Sequence, residues 1–245
     1  MPVQKKKDDV KKMFDDISNR YDFLNHFLSF GIDNIWRRKL TSLLSIKNPK
    51  NILDVATGTG DLAIAMAKLN PLNITGIDIA EKMLDIARVK VRQRKLNGII
   101  TFTPGDAEKI PFSDGSFDAV TVAFGVRNYE HLLQGLKEMN RVLKPGGTMM
   151  ILEFSHPRSG ILKFIYKLYS RTIIPFTGKV ISKNSYAYQY LPDSVAAFPS
   201  GEDFLEILKG AGLNNRRQYP LSGGIASIYM AEKQMGGRPV KIKKG

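Results

Sequence analysis

The sequence has no cysteine, only three histidines and a single tryptophan among its 245 residues. Without cysteine, disulfides, thiolate nucleophiles and cysteine-ligated metal sites are excluded. The histidines are His26, His131 and His156, and their spacing is not that of metal ligands. The sequence therefore predicts no metal site, and we expect these histidines at helix ends or on the surface.

Long apolar runs are also absent, since no segment approaches the ~20 apolar residues that a membrane helix needs. The first residues, Met1-Pro-Val-Gln-Lys-Lys-Lys7, lack the apolar region of a signal peptide. We therefore expect a soluble, cytoplasmic protein. Peripheral attachment to the inner face of a membrane stays open as an alternative.

Acidic residues are outnumbered, with 37 lysines and arginines against 23 aspartates and glutamates, for a net charge of +14. Such a balance favours polyanionic partners, either nucleic acid or an anionic membrane surface. It also serves simple solubility. Net charge alone does not choose among the three.

Strand-like and helix-like runs alternate from residue 51 onward, which is typical of βαβ units on a parallel sheet. The turn Ser222-Gly-Gly224 between the last two strands predicts an antiparallel hairpin. Lys144-Pro-Gly-Gly147 is expected to stop the helix before it. Strands are predicted at 51–56, 73–79, 99–103, 117–124, 148–154, 216–221 and 226–232, and helices at 61–69, 81–96, 131–143 and 201–211.

A glycine-rich loop follows the first of these strands. Gly58-Thr-Gly60-Asp-Leu-Ala63 opens a helix and fits the dinucleotide pattern G-x-G-x-x-A. Asp78 ends the second strand, where a carboxylate can accept hydrogen bonds from two ribose hydroxyls. NAD and S-adenosylmethionine (SAM) share that ribose, so these features fit both.

The charges around the loop separate the two ligands. Asp54 precedes the loop and Asp61 follows it, and both would repel a pyrophosphate. SAM instead presents an ammonium and a sulfonium, while the helix N-terminus can receive its carboxylate. Asp106, after the third strand, suits the adenine amino group. The loop therefore predicts SAM, although each aspartate alone could simply cap a helix or sit in a turn.

Two regions lie outside the alternating pattern. We expect residues 1–50 to form an N-terminal helical cap or lid and residues 51–233 to form the SAM-binding methyltransferase domain. An insertion at about 155–200 is placed on the substrate side, and residues 234–245 form a basic tail.

Four segments resemble the ubiquinone/menaquinone biosynthesis C-methyltransferases. The segment from Tyr21 to Trp36 is similar to the first signature of that family, and the segment from Arg141 to Ser155 is similar to the second. The stretches 123–128 and 190–195 match as well, and the likeness extends from about residue 14 to 232. Two residues depart from the first signature, Leu24 where methionine is usual and Asp33 where histidine is usual.

The resemblance implies a class I, Rossmann-like SAM-dependent fold, an α/β architecture whose seven-stranded, mostly parallel sheet ends in the C-terminal antiparallel hairpin. It implies methylation of a ring carbon of a prenylated quinol: demethylmenaquinol, the benzoquinol of the ubiquinone pathway, or both. The cofactor positions that it carries over are Thr59, Asp78, Asp106 and Ala107. With the loop, the predicted cofactor residues are Asp54, Gly58, Thr59, Gly60, Asp78, Asp106 and Ala107.

Arg127 and Asn128, which follow the fourth strand, are the candidate phenolate site. A guanidinium can lower the pKa of an adjacent phenol, which would activate the ring carbon of the reduced quinol. The alternative is that Arg127 ties down its loop through a salt bridge. His26 is the third catalytic candidate because it lies in the first signature.

The basic, aromatic stretch at 161–183 is interpreted as a membrane-surface element, a cover over an apolar tunnel or a solvated helix. An RNA or other small-molecule methyltransferase is the rival function. After the fourth strand, base N-methylating enzymes often have Asn or Asp followed by Pro-Pro and an aromatic residue, whereas this chain has Phe124-Gly-Val-Arg-Asn128. Methylation of a pyrimidine carbon through a covalent adduct needs a cysteine, which this chain lacks. Nucleic acid is therefore not expected as a partner, and oligomerisation stays open.

Overall fold

The computed structural model of the chain describes residues 6–28, 31–156 and 185–235. The strands are β1 (Asn51–Val55), β2 (Asn73–Asp78), β3 (Ile100–Pro104), β4 (Phe117–Ala123), β5 (Leu143–Phe154), β6 (Leu213–Leu221) and β7 (Ala226–Lys233). The helices are α1 (Lys7–Leu28), α2 (Ile32–Ser45), α3 (Asp61–Met66), α4 (Glu81–Gln93), α5 (Leu132–Val142), α6 (Ser185–Ala197) and α7 (Glu202–Gly210).

The strands form one seven-stranded sheet in the order β3-β2-β1-β4-β5-β7-β6. Strands β3, β2, β1, β4 and β5 run parallel, and β7 pairs antiparallel with both β5 and β6. The strand order reverses between β1 and β4, and ligands of open α/β sheets bind at such a reversal, beyond the carboxyl ends of the strands. The predicted α/β fold and its C-terminal antiparallel hairpin are confirmed.

The central strands are apolar on both faces because helices cover both sides of the sheet. On one side α5 and α7 bury residues such as Leu136 and Phe204 against it. On the other side α2, α3 and α4 contribute residues such as Leu40, Met66 and Val91. The two layers of helices leave the carboxyl ends of β1, β2, β3 and β4 open to a ligand.

Helix α2 belongs to the core although it precedes the first strand. Trp36, Leu40 and Leu44 on its inner face are buried. The indole Nε1 of Trp36 donates a hydrogen bond to Ser222 Oγ at 3.0 Å, which links α2 to the turn between β6 and β7. The packing of α2 therefore depends on residues almost two hundred positions away in the sequence.

Helix α1 lies against α4, and Val10 and Met13 form a small apolar cluster with Tyr190 of α6. The role of residues 1–50 as a lid stays a prediction. Across the described residues, none of the helices combines the length and the apolar character needed to cross a membrane.

The largest boundary difference from the sequence-based prediction is at the start of β5. The helix before Lys144-Pro-Gly-Gly147 stops as expected, but β5 begins at Leu143 rather than at 148. Leu143 pairs with Phe117, and the register shifts before Thr148 pairs with Ala119. Gly146, with φ of 76°, lies within this irregular start of the strand. The strand therefore starts before the loop signal, and residues 144–147 form an irregularity between two paired positions.

Candidate active site

The loop between β1 and α3 contains two glycines with positive φ, 55° at Gly58 and 82° at Gly60. A Cβ at Gly60 would come within 2.9 Å of the Phe102 ring, so glycine is needed there for packing. A Cβ at Gly58 would meet nothing within 4 Å. The backbone at Gly58 therefore faces open space that a ligand can fill.

Asp78 at the end of β2 is held by backbone donors. Its Oδ2 accepts a hydrogen bond from the N–H of Gly58 at 2.8 Å, and its Oδ1 accepts one from the N–H of Ala80 at 2.9 Å. Burial raises the pKa of Asp78, and these backbone hydrogen bonds oppose that rise. The carboxylate thus has a fixed orientation beside the glycine loop.

A large cleft of about 710 Å³, measured to its open mouth, lies over the ends of four strands. The predicted cofactor residues Gly58, Asp78, Asp106 and Ala107 all line it. Its other described lining residues are Lys7, Val10, Phe14, Ala56, Ile79, Met83, Gly105, Glu108, Ala123, Phe124, Gly125, Asn128, Tyr129 and Glu130. The structure therefore brings the ends of β1, β2, β3 and β4 together with α1.

A small cavity, with about 330 Å³ of empty space including its open mouth, adjoins the large cleft and shares Ala56, Gly58 and Ala123 with it. Asp54, Thr57, Thr59, Asp61, Leu62 and Arg37 complete its lining. Of the predicted cofactor residues, Asp54 and Thr59 line this cavity, whereas Gly60 lines neither space and packs against Phe102. Arg37 was not among the predicted site residues.

Asp54 is almost completely buried at 1% exposure. Thr57 donates its hydroxyl to Asp54 Oδ2 at 2.6 Å, and Thr121 donates to Oδ1 at 2.7 Å. Burial raises the pKa of Asp54 from an ordinary 3.8 to about 6, against the opposing effect of these two hydrogen bonds. A cation placed in the small cavity would relieve this penalty by stabilising the carboxylate.

At the opposite end of the large cleft, Asp106 forms an ion pair with Lys7 at 2.5 Å. Asp106 also accepts the backbone N–H of Glu108 at 2.9 Å. The hydrogen bond to Asp106 raises the pKa of Lys7. The first residue of α1 therefore reaches the acidic group that the sequence assigns to adenine.

Arg127 lies in the 3₁₀ turn Val126–Asn128 after β4 and is 5% exposed. Its Nη1 donates to Glu153 Oε1 at 2.9 Å and also to the carbonyl oxygen of Phe124. Arg127 thus makes the salt bridge considered above as an alternative, and it lines neither of the two spaces. Its chemical role stays a prediction.

Asn128 does line the large cleft, and the hydroxyl of Tyr190 donates to its Oδ1 at 3.1 Å. His26 lies within α1, but its side chain is outside the described part of the structure, as is the stretch 161–183. His131 and His156 are exposed. Of the two catalytic candidates whose side chains the structure describes, Asn128 is therefore the one that lines the cleft.

The chain is similar to known proteins along nearly its whole length. The model of the ubiE/COQ5 methyltransferase family matches residues 2–233. A ubiquinone/menaquinone biosynthesis C-methyltransferase UbiE of Geotalea uraniireducens is 46% identical over 94% of this chain and 99% of its own. A demethylmenaquinone methyltransferase of Chlorobaculum tepidum is 45% identical over 94% of both chains.

Among solved structures, a SAM-dependent methyltransferase of Thermotoga maritima, described as a possible histamine N-methyltransferase, superposes with a TM-score of 0.63. It is 20% identical and covers 91% of this chain and 99% of its own, so it supports the fold alone. The extent of the family match and the identity to both curated relatives confirm the predicted family. The chain belongs to the ubiE/COQ5 methyltransferase family.

Proposed function

We propose that this chain methylates a ring carbon of a prenylated quinol, with demethylmenaquinol as its substrate. The observation that carries the proposal is the likeness to curated quinone-pathway C-methyltransferases over 94% of the chain. The benzoquinol of the ubiquinone pathway is the second substrate to test, because one of these relatives is named for both pathways.

The chain is a SAM-dependent C-methyltransferase, as predicted. The described residues fit SAM well. The backbone of Gly58 is open to a ligand, and the carboxylates of Asp54 and Asp78 suit an ammonium and a ribose. A pyrophosphate would instead meet several negative charges.

Each predicted cofactor residue except Gly60, which packs against Phe102, has a proposed partner. We assign Asp54, Gly58 and Thr59 to the methionine portion, Asp78 to the ribose, and Asp106 with Ala107 to the adenine. The bound donor supplies a strongly electrophilic methyl group. The tasks left to the chain are to position the acceptor carbon, favour its phenolate and exclude water.

Asn128 is our candidate for direct contact with the phenol oxygen, because its amide lines the cleft and Tyr190 orients it. Arg127 precedes Asn128 in the same 3₁₀ turn and is held there by Glu153 of β5. We propose that Arg127 favours the phenolate through its charge and by fixing the turn that presents Asn128. His26 is retained as a candidate to take the ring proton after methyl transfer.

The substrate also bears on where the enzyme works. A prenyl tail partitions into lipid, so we propose that the protein contacts a membrane surface peripherally, with the basic stretch 161–183 as the contacting segment. Sedimentation with anionic and with neutral vesicles tests this. Salt-sensitive binding to the anionic vesicles alone is the expected result, and no binding to either would contradict it.

The proposed activity is tested by incubating the protein with SAM and a short-chain demethylmenaquinol kept reduced. We expect a product heavier by one methyl group by mass spectrometry, and none from the oxidised quinone, which lacks the phenolate. The benzoquinol and total RNA serve as parallel acceptors. Methylated RNA without methylated quinol would overturn the assignment.

A further inference from the structure

We propose that Arg37 of α2 binds the α-carboxylate of the methionine portion of SAM. This goes beyond the proposed function, because it concerns how the donor is held and not which acceptor is methylated. It also makes α2, which precedes the nucleotide-binding strands, a part of the cofactor site.

The charges that line the small cavity suit an amino-acid zwitterion. Among its described lining residues, Arg37 is the single cation, and it faces the same space as Asp54. The other lining carboxylate, Asp61, is already paired with Lys90 of α4. The methionine portion of SAM carries one ammonium and one carboxylate. Asp54 suits the ammonium, which leaves Arg37 as the matching partner for the carboxylate.

Arg37 is close enough to Asp54 for their charges to interact. Burial dominates the raised pKa of Asp54, and the guanidinium of Arg37 opposes that rise. A carboxylate and a guanidinium in one small cavity can hold the two ends of a zwitterion at once.

The guanidinium of Arg37 is buried, at 6% exposure for the residue, and incompletely hydrogen-bonded. Its Nη1 donates to Asp33 Oδ2, whereas its Nε has no hydrogen-bond partner in the described structure. Buried N–H donors without an acceptor are unfavourable. A carboxylate in the cavity would supply an acceptor, and carboxylates match the fork of a guanidinium.

The position of Arg37 is determined by its surroundings. Asp33 lies one turn earlier on α2, the guanidinium carbon lies 5.6 Å from the centre of the Phe124 ring, and Thr41 donates to the carbonyl oxygen of Arg37. Trp36 anchors the same turn in the core. The side chain is therefore preorganised before any ligand binds, which lowers the entropic cost of binding.

The test compares SAM with its decarboxylated form by titration calorimetry, with no acceptor present. We expect the wild type to bind the decarboxylated form about 10- to 100-fold more weakly, as for loss of a charge-assisted hydrogen bond. Arg37→Gln should weaken SAM by a similar factor and the decarboxylated form only slightly. Arg38→Gln, which changes the exposed neighbour on the same helix, is the matched control and should leave both affinities unchanged.

The affinities of the wild type and the variants for the two ligands separate carboxylate binding by Arg37 from a structural role. If Arg37→Gln weakened both ligands equally, Arg37 would act on the fold and the proposal would fail. If the wild type bound both ligands equally, the proposal would fail whatever the variants did. Because Arg37→Gln leaves Asp33 buried without its guanidinium, Asp33→Asn combined with Arg37→Gln is measured too, with thermal unfolding of each unliganded variant. These results do not depend on the acceptor, so failure of the quinol assignment would be distinguishable.

Discussion

Two buried arginines of the described structure, Arg37 and Arg127, have similar local surroundings. Arg37 is 6% exposed and Arg127 is 5% exposed. Each pairs with one carboxylate, and each guanidinium carbon lies about 5.5 Å from the centre of an aromatic ring. In each, Nε has no hydrogen-bond partner in the described part of the chain.

The two arginines differ in their further hydrogen bonds and in their access to a cavity. The partner of Arg127, Glu153, is fully buried and also accepts the backbone N–H groups of Arg127 and Phe154. Arg127 donates a further hydrogen bond to a backbone carbonyl, and it lines neither described space. Arg37 lines the small cavity. A buried charge therefore does not by itself indicate ligand binding, and access to a cavity decides between the two.

The largest effect on stability is expected for Arg127→Ala. Removing the guanidinium leaves Glu153 charged and fully buried, which should lower the free energy of unfolding by about 3–5 kcal/mol. Turnover should fall as well, while SAM affinity in the folded fraction stays near normal. Urea unfolding and calorimetry measure the two properties. Asn128→Ala is the control: it should lower turnover with little loss of stability.

Native stability in Arg127→Ala with lost turnover would contradict this account. Arg127 would then resemble Arg37 in the proposed role of binding a ligand.

The next largest effect is expected at Asp54, and it is a change in how the free energy of unfolding depends on pH. Burial raises the pKa of Asp54 from 3.8 to about 6, so the folded state holds this proton more tightly than the unfolded state does. The stabilising contribution of protonated Asp54 is therefore fully present below pH 3.8 and is lost as pH rises through about 6. The loss corresponds to about 3 kcal/mol. Asp54→Asn should therefore gain stability over wild type between pH 4 and 6, and the gain should level off above that range. Urea unfolding of the unliganded proteins across this range measures it, and a difference independent of pH would contradict it.

The same residue should make SAM binding depend on pH. Between pH 5 and 7 the wild type should bind SAM more tightly as pH rises, because the ammonium requires the ionised carboxylate. The amino group of the ligand itself titrates only near ~7.7–8.0. Asp54→Asn should bind more weakly and lose this dependence. Calorimetry of both proteins at matched pH values is the measurement.

Asp78→Ala tests a carboxylate of the large cleft, whose described lining residues include no arginine. We expect SAM affinity to fall by roughly 1.5–3 kcal/mol, as for the loss of a charge-assisted acceptor. Asp78→Asn keeps one acceptor for the N–H of Gly58 and should lose less. Unchanged affinity in both variants would remove Asp78 from the proposed cofactor site.

The contrast between these residues also shows what the sequence can predict. Gly58, Asp78 and Asp106 could be placed together because each follows a strand of a parallel sheet, and such strands end at the same edge. Arg37 could not be. Its sequence neighbours indicate only an amphipathic helix, and its position depends on Trp36 packing near a turn formed by residues 222–224. Long-range packing of this kind leaves no local signal.

The smallest effect is expected at the opposite end of the cleft, where the Lys7–Asp106 pair is partly exposed, at 37% and 29% for the two side chains. Exposed pairs contribute about 0–1 kcal/mol, so Lys7→Ala should change stability little. Its effect on SAM should be a slight gain in affinity, because the adenine amino group no longer competes with an ammonium for Asp106. Calorimetry at low and at high salt measures this gain in affinity, which should shrink as salt screens the Lys7–Asp106 pair. A large loss of affinity would instead make Lys7 a ligand-binding residue, and the adenine end would then resemble the methionine end, with a cation of its own.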